Sequence, residues 1–407
     1  MAKKAYIGID GIARKIKKGY IGVDGVARKI KKAYIGVGGV ARPCWSGDGI
    51  DYYGAITPLS VGVAGLAGAS IPGFALFACG RNGTGAGAGI SYYSKTIDVY
   101  NTALTLTCSL DLSNMVIAGT DTSTSLNSRE YLSAGSVNET AIFAGGSRST
   151  TTYVNDAFSV NTSMTLARIP SGQYMQSNAH KYATTSVGNH VLFANGTGAE
   201  RAYYRTVEAY DSSLTKKTCA TTSKTEGSRA ATTVGNKAII AGGVYGNASN
   251  TYDTTIDVYD DSLTKITTGI ALSVGRSNLG AETVNGNALF VGGTYYTTRY
   301  NVVDAYNESL THNTSVTPLS EARMDIPSVS IAGTAMFFGG NNANNSVGSR
   351  SATVDLYDSS LTKTEVQPLA EARQEHAAAK VGSFALVGGG VTASATCSSS
   401  VEAYVYS

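Results

Sequence analysis

Patterns that carry chemistry are scarce in this chain. Its four histidines (His180, His190, His312, His376) stand far apart, and none falls in H-x-H or H-E-x-x-H spacing. That argues against a zinc site. The five cysteines (Cys44, Cys79, Cys108, Cys219, Cys397) are scattered, odd in number and free of C-x-x-C spacing, so they read as reduced structural thiols. No G-x-S-x-G or P-loop occurs; the Gly-rich run 80–89 precedes no helical pattern. Asp48 and Asp51 are close in sequence but read as solvated. These absences lead to the expectation of a non-enzyme that needs no metal and no cofactor. Charged residues make up only 15% of the 407 positions, with one tryptophan, Trp45, and seven prolines. No apolar run suits a membrane helix, so no membrane insertion is expected. Met1–Gly8 lacks the apolar core of a signal peptide, and synthesis in a cytoplasm is the expectation.

What is abundant is Gly (47), Tyr (25), Ser, Thr and Asn, the composition of short strands and turns. The same pattern recurs seven times. An apolar run ends in a Gly pair or its variant, at 74–80, 141–146, 191–196, 238–243, 288–293, 335–340 and 385–390. A polar loop follows, then a Val-Asp-Ala-Tyr-type strand and an Asp-Ser-Ser-Leu-Thr-type turn. From Gly146 onward the step is 47 to 50 residues; the first step is longer, with extra sequence around 110–127. The third unit predicts strands at 181–187, 191–194 and 206–210 and a fourth from Leu214. Gly-Asn and Asp-Ser-Ser supply hairpin turns, and a continuously apolar second strand implies cover on both faces. Four strands repeated at this period predict an all-β, seven-bladed β-propeller.

At these residues the chain resembles the Kelch family of propellers. The Gly-Gly after strand two, the later Tyr (Val302–Tyr306, Val354–Tyr357) and Glu-Ala-Arg at 321–323 and 371–373 carry the likeness over residues 52–407. The family's Trp after the Tyr is replaced by Leu-Thr, as at Leu310-Thr311. The Tyr/Cys/His set of a copper radical oxidase and the Asp-boxes of sialidase propellers are absent. The chain ends on a third strand, and 55–60 matches the strand-four endings at 315–320 and 366–370. Residues 53–59 are therefore expected to pair with 401–406 and close the ring, removing two sheet edges.

Residues 1–43 form a separate basic unit, with 44–51 as a linker. Three 14-residue repeats of Lys-Lys-x-Tyr-Ile-Gly-x-x-Gly-x-Ala-Arg type fill 3–42, which carries +9 against −6 for the remainder. Asp10-Gly11 predicts a hairpin pairing Ile9 with Ile12, Ile7 with Arg14 and Ala5 with Ile16 in a small meander. A sheet this small needs a partner for its apolar face. Tyr6, Ile7, Ile9, Tyr20, Ile21, Tyr34 and Ile35 are the expected anchoring residues. The repeat resembles segments of virion or tail proteins from phages and prophages of Firmicutes. Lysine pairs at the hairpin junctions suit an acidic protein surface or solvation better than nucleic acid, since no stacking platform accompanies them.

Two sets of candidate site residues remain. Arg129, Arg276, Arg323 and Arg373 each precede the Val/Ile ending strand one by eight residues. They read as ties to backbone carbonyls between blades, or as a channel rim for an anion. The loops between strands two and three share a face with the blade crossovers and carry Tyr92, Tyr93, Tyr153, Tyr203, Tyr204, Tyr245, Tyr252, Tyr295, Tyr296 and Tyr300. Rigid rings among small hydrogen-bonding residues suit recognition, sugar faces included, or else fill gaps between blades. The resulting expectation is a virion- or tail-associated protein, present in several copies. It anchors through 1–43 and displays the propeller to a host-surface glycan or protein. A purely structural decoration protein and a cytoplasmic Kelch-type interaction module are the alternatives.

Overall fold

The computed structural model describes residues 6–9, 12–15, 19–23, 26–30, 32–37, 40–46, 49–83, 90–114, 128–149, 152–199, 202–245, 251–343 and 349–406. Among them there is no α-helix, and no helix long and apolar enough to cross a membrane. Seven antiparallel four-stranded sheets form a β-propeller. In the fifth, strands Gly280–Val284, Asn287–Val291, Val303–Asn307 and His312–Asn313 pair in chain order from axis to rim. The third follows the expected unit closely: Ala183–Val187, His190–Ala194, Val207–Asp211 and Lys216–Thr218. Leu214 is not in the outer strand but in the preceding turn, at φ 61°.

The inner strands are Ala67–Ile71, Ser133–Val137, Ala183–Val187, Ala230–Val234, Gly280–Val284, Ser328–Ile331 and Ala377–Val381. Each contacts the next, and the seventh contacts the first, so the ring is closed. Small hydroxyl side chains tie these strands across blades; Thr185 Oγ1 lies 2.9 Å from Thr233 Oγ1, and Thr232 Oγ1 2.7 Å from Thr283 Oγ1. The second strands are buried almost throughout, as their unbroken apolar runs require.

Closure uses Ile50–Ile56, which pairs with Val401–Tyr406 from Tyr406↔Ile50 to Val401↔Ile56. The closing strand thus lies three residues earlier than 53–59, and 57–59 turn into the first crossover. Leu59 N–H there donates to Ser399 O at 2.8 Å. The expected linker 44–51 is largely strand: 44–46 end one hairpin strand and 50–51 open the closing one.

The N-terminal units form three separate hairpins: Tyr6–Ile9 with Ile12–Lys15, Gly19–Val23 with Val26–Ile30, and Lys32–Val37 with Val40–Ser46. Ile9↔Ile12 and Ile7↔Arg14 pair in the expected register; Ala5 and Ile16 lie outside the described residues. Among the described residues each unit pairs within itself as a two-stranded hairpin, the turn joining the strands it connects. Tyr6, Ile7, Ile9, Tyr20, Ile21, Tyr34 and Ile35 all lie on these strands; their side-chain surroundings are outside the described residues. So is most of the extra segment, 115–127.

Candidate functional site

The third strands carry a repeated acid and tyrosine. The acids are Asp98, Glu208, Asp257, Asp304, Asp355 and Glu402, each two residues before Tyr100, Tyr210, Tyr259, Tyr306, Tyr357 or Tyr404. All six tyrosines are fully buried. Each hydroxyl donates to a carbonyl in the incoming crossover, at 2.5–3.1 Å: Thr57, Gln173, Ala220, Ala271, Thr317 and Gln367. Each acid accepts a backbone N–H from the same crossover at 2.8–3.2 Å. A carbonyl or N–H left alone in this interior would be costly, so in these six blades the crossover is pinned at two points; blade two has Phe158 and Val160 in place of the acid and the tyrosine.

The four arginines complete this device and do not form a rim. Arg129, Arg276, Arg323 and Arg373 are at most 1% exposed. Arg276, Arg323 and Arg373 reach Asp304, Asp355 and Glu402 at 2.7, 2.8 and 2.5 Å, and Arg129 pairs with Asp156. Each also donates to carbonyls of the blade it introduces, as Arg276 Nε does to Gly292 O at 2.8 Å. A buried guanidinium without a carboxylate would be prohibitive, which is why the acid is on the facing strand. No face is left to bind an external anion. The acid before each Tyr was visible in Val-Asp-Ala-Tyr, but its arginine partner lies about thirty residues upstream, beyond any local pattern.

Blade four breaks the pattern. Glu226 stands at the position Arg276 occupies in blade five, and Arg229, three residues on, pairs with Asp257 at 2.7 Å. Glu226 also lies 3.3 Å from Arg229 and is fully buried. Burial, with the neighbouring Asp253, pushes its carboxyl up to about 8. Lys224 pairs with Asp253 and holds that carboxylate well below its usual range.

The Gly pairs join blade to blade. Gly293 N–H donates to Arg323 O of the next crossover at 2.9 Å; a Cβ on Gly292, at φ 62°, would lie 2.4 Å from that same oxygen. Glycine is required there on both counts.

Beyond these ties the crossovers turn at the axis through Gly65, Tyr131, Lys181, Ser228, Asn278, Asp325 and Glu375, one per blade and all at φ 52–66°. Backbone bonds link them around the mouth, such as Tyr131 N–H to Gly65 O at 2.6 Å and Asp325 N–H to Asn278 O at 3.0 Å. Arg81 bridges Glu130 and Glu375 and donates to the Tyr131 hydroxyl at 2.8 Å. This axial ring was not found from sequence, because no residue type marks it.

The loops between strands two and three open on this same face. The residue after each Gly pair or its variant bridges to the crossover of its own blade: Arg81–Ala64, Ser147–Glu130, Thr197–His180, Val244–Gly227, Thr294–Ser277, Asn341–Met324 and Val391–Gln374. The ten tyrosines divide there. Tyr92 (49% exposed), Tyr245 (36%), Tyr295 (44%) and Tyr296 (49%) are displayed. Tyr93, Tyr153, Tyr203, Tyr204, Tyr252 and Tyr300 are half-buried. Tyr153 packs edge-on against His180 at 4.9 Å, and Tyr204 joins the apolar cluster around Tyr182 and Phe193. The loops bring three tyrosines together: Tyr252, Tyr295 and Tyr296 have ring centroids 4.9–5.1 Å apart. Among the described residues no three His, Cys, Asp or Glu side chains group to hold a metal.

Fold and face together define a β-propeller of the interaction-module class, with a variable loop face on a repeated scaffold. No protein-family model and no curated protein matches the chain.

Proposed function

We propose that the chain is a non-catalytic attachment protein of a phage virion or tail, with divergent Kelch-like blades. Its N-terminal hairpins dock on an acidic virion or tail protein, and the propeller's loop face recognises a host-surface glycan or protein. The observation that carries this reading is the contrast between the two parts of each blade. Crossover ties repeat, with local substitutions, in every blade, while the loops beside them vary in length and display tyrosine. A scaffold so constrained leaves the loops free to diversify. The three hairpins ahead of it are too small to bury a core of their own, which favours a docking role. Several copies on one particle would raise a weak single-site affinity by avidity.

The test is made on particles. Deleting residues 1–43, which leaves the closing strand Ile50–Ile56 intact, should abolish incorporation while the released protein keeps its melting temperature. Unchanged incorporation would overturn the docking role. Particles that carry the protein but adsorb to host cells no better than particles lacking it would overturn the recognition role.

A further inference from the structure

The ten loop tyrosines are not equivalent, and one group of them has the build of a defined site. Tyr295 and Tyr296 form the tip of a hairpin, Thr294–Tyr295 paired with Thr298–Arg299, in the blade-five loop. Tyr252 comes from blade four, on the strand pair Val244–Tyr245 and Thr251–Tyr252. Their rings are inclined to one another by 45°, 60° and 78°. At these angles the three rings pack on one another as a compact, non-coplanar cluster, not as a flat ramp for an extended polymer. Among the described residues, three of the six exposed large hydrophobic side chains, Tyr245, Tyr295 and Tyr296, belong to these two adjacent loops.

The backbone supplies an independent observation. Tyr296 adopts φ 50°, a left-handed conformation that glycine takes at least cost. Most other non-glycine residues with positive φ fall at positions that recur from blade to blade: the axial ring, the hairpin turns and the end of strand two. In the loops between strands two and three, only Tyr296 and Ala395 do so among the described residues. Burial does not compensate Tyr296, whose ring is half exposed. Strain held at an exposed aromatic tip points to a role for the ring outside the fold.

The hairpin that carries Tyr295 and Tyr296 is also tied to its neighbours. Arg299 donates from Nη1 to Thr294 Oγ1 at 2.8 Å and from Nε and Nη2 to Asn341 Oδ1 at 3.1 and 3.0 Å. Nη2 also reaches Ala343 O at 3.1 Å, so the guanidinium clamps the hairpin to blade six. Beside Tyr252, Asp253 is taken by Lys224 and by Thr255 N–H and Oγ1, both at 2.9 Å. The donors of Arg299 and the oxygens of Asp253 are thus already engaged within the chain. The exposed part of the cluster is amphipathic aromatic ring surface, which suits an uncharged group having one C–H face and hydroxyl edges.

We propose that Tyr252, Tyr295 and Tyr296 form the binding site for a single neutral pyranose of a host glycan. This assignment rests on reading the loop face as the recognition face. The test uses the full chain with defined probes: chitotetraose, lactose and maltotetraose as neutral sugars, sialyllactose as an acidic one, and phosphocholine as a quaternary ammonium. Binding is followed by calorimetry and saturation-transfer NMR. A neutral sugar should bind, and Tyr295→Ala and Tyr296→Gly should each weaken it about tenfold or more. Tyr296→Gly should leave the melting temperature equal or higher, since it relieves the left-handed strain. Glu308→Gln, in the exposed turn after strand three of blade five and away from the loop face, should leave binding unchanged. If the wild-type chain binds a neutral sugar but the two cluster variants bind it equally well, the site is overturned and the recognition role survives. Binding only of sialyllactose or phosphocholine, or of a protein on host cells with no sugar bound, also overturns it. A chain that binds no sugar and does not improve adsorption overturns both.

Discussion

Tyrosine serves two opposite purposes in this propeller. On the third strands, Tyr100, Tyr210, Tyr259, Tyr306, Tyr357 and Tyr404 are sealed, each with its hydroxyl committed to a crossover carbonyl. On the loops, Tyr92, Tyr245, Tyr295 and Tyr296 lie 36–49% open. The difference lies in the backbone. A third-strand Tyr has a second strand on one side and a crossover above, so ring and hydroxyl are both satisfied internally. A loop Tyr has a scaffold beneath it and solvent beyond. The repeated set therefore stabilises the ring, and the irregular set keeps part of each ring at the surface.

Four measurements sharpen this contrast, in falling order of effect. Removing residues 1–56 takes away the closing strand and exposes the edge of Val401–Tyr406. Cooperative thermal unfolding should disappear, whereas removal of 1–43 should leave it intact. Next, Arg323→Ala strips the partner from buried Asp355 and should cost about 3–5 kcal/mol in denaturant unfolding. A loss near zero would show that the buried tie contributes nothing.

The third measurement concerns blade four. Glu226 is raised from 4.5 to about 8 in the folded chain, so the folded state holds this proton more tightly than the unfolded one. Its contribution is complete below pH 4.5 and is lost as pH rises toward 8. One pKa unit corresponds to about 1.4 kcal/mol, so the loss amounts to several kcal/mol at most. Asp257, held down to about 2 chiefly by Arg229 against its burial, acts in the other direction. Its stabilisation is present above pH 3.8 and is lost toward pH 2. Melting temperature should therefore peak at about pH 4, between the two unfolded-state values, and Glu226→Gln should flatten the alkaline limb. An unchanged alkaline limb in that variant would assign the loss elsewhere.

The smallest effect separates the two kinds of tyrosine directly. Tyr306→Phe leaves Ala271 O without its 2.6 Å donor and should cost about 1 kcal/mol. Tyr295→Phe at the open surface should stay within about 0.5 kcal/mol. Equal losses would mean that the loop rings are structural after all.

Much of the scaffold could be read from the residues, and much of the site could not. Seven Gly-pair runs or variants, evenly stepped from Gly146 onward, set the blade count, because each blade must supply the same buried strand and the same tight junction. The closing segment was found by its likeness to other strand-four endings, but displaced by three residues, since register depends on the partner strand and not on the segment itself. The arginines were recognised as recurrent and read either as ties to backbone carbonyls or as an anion rim; the carbonyl ties are present and the rim is not, since all four are sealed. Their spacing is local, while their burial depends on acids about thirty residues away. Blade four shows the limit most clearly: Glu226 and Arg229 look like ordinary surface charge in sequence, yet both are fully buried.

Sequence alone determined the strand period, the turn chemistry and the number of blades, because those follow from side-chain alternation and backbone freedom within a few residues. Only the tertiary structure decided which charges are sealed, which tyrosines are open and which three of them meet. Those outcomes depend on neighbours brought together from different blades, and no short stretch of chain encodes them.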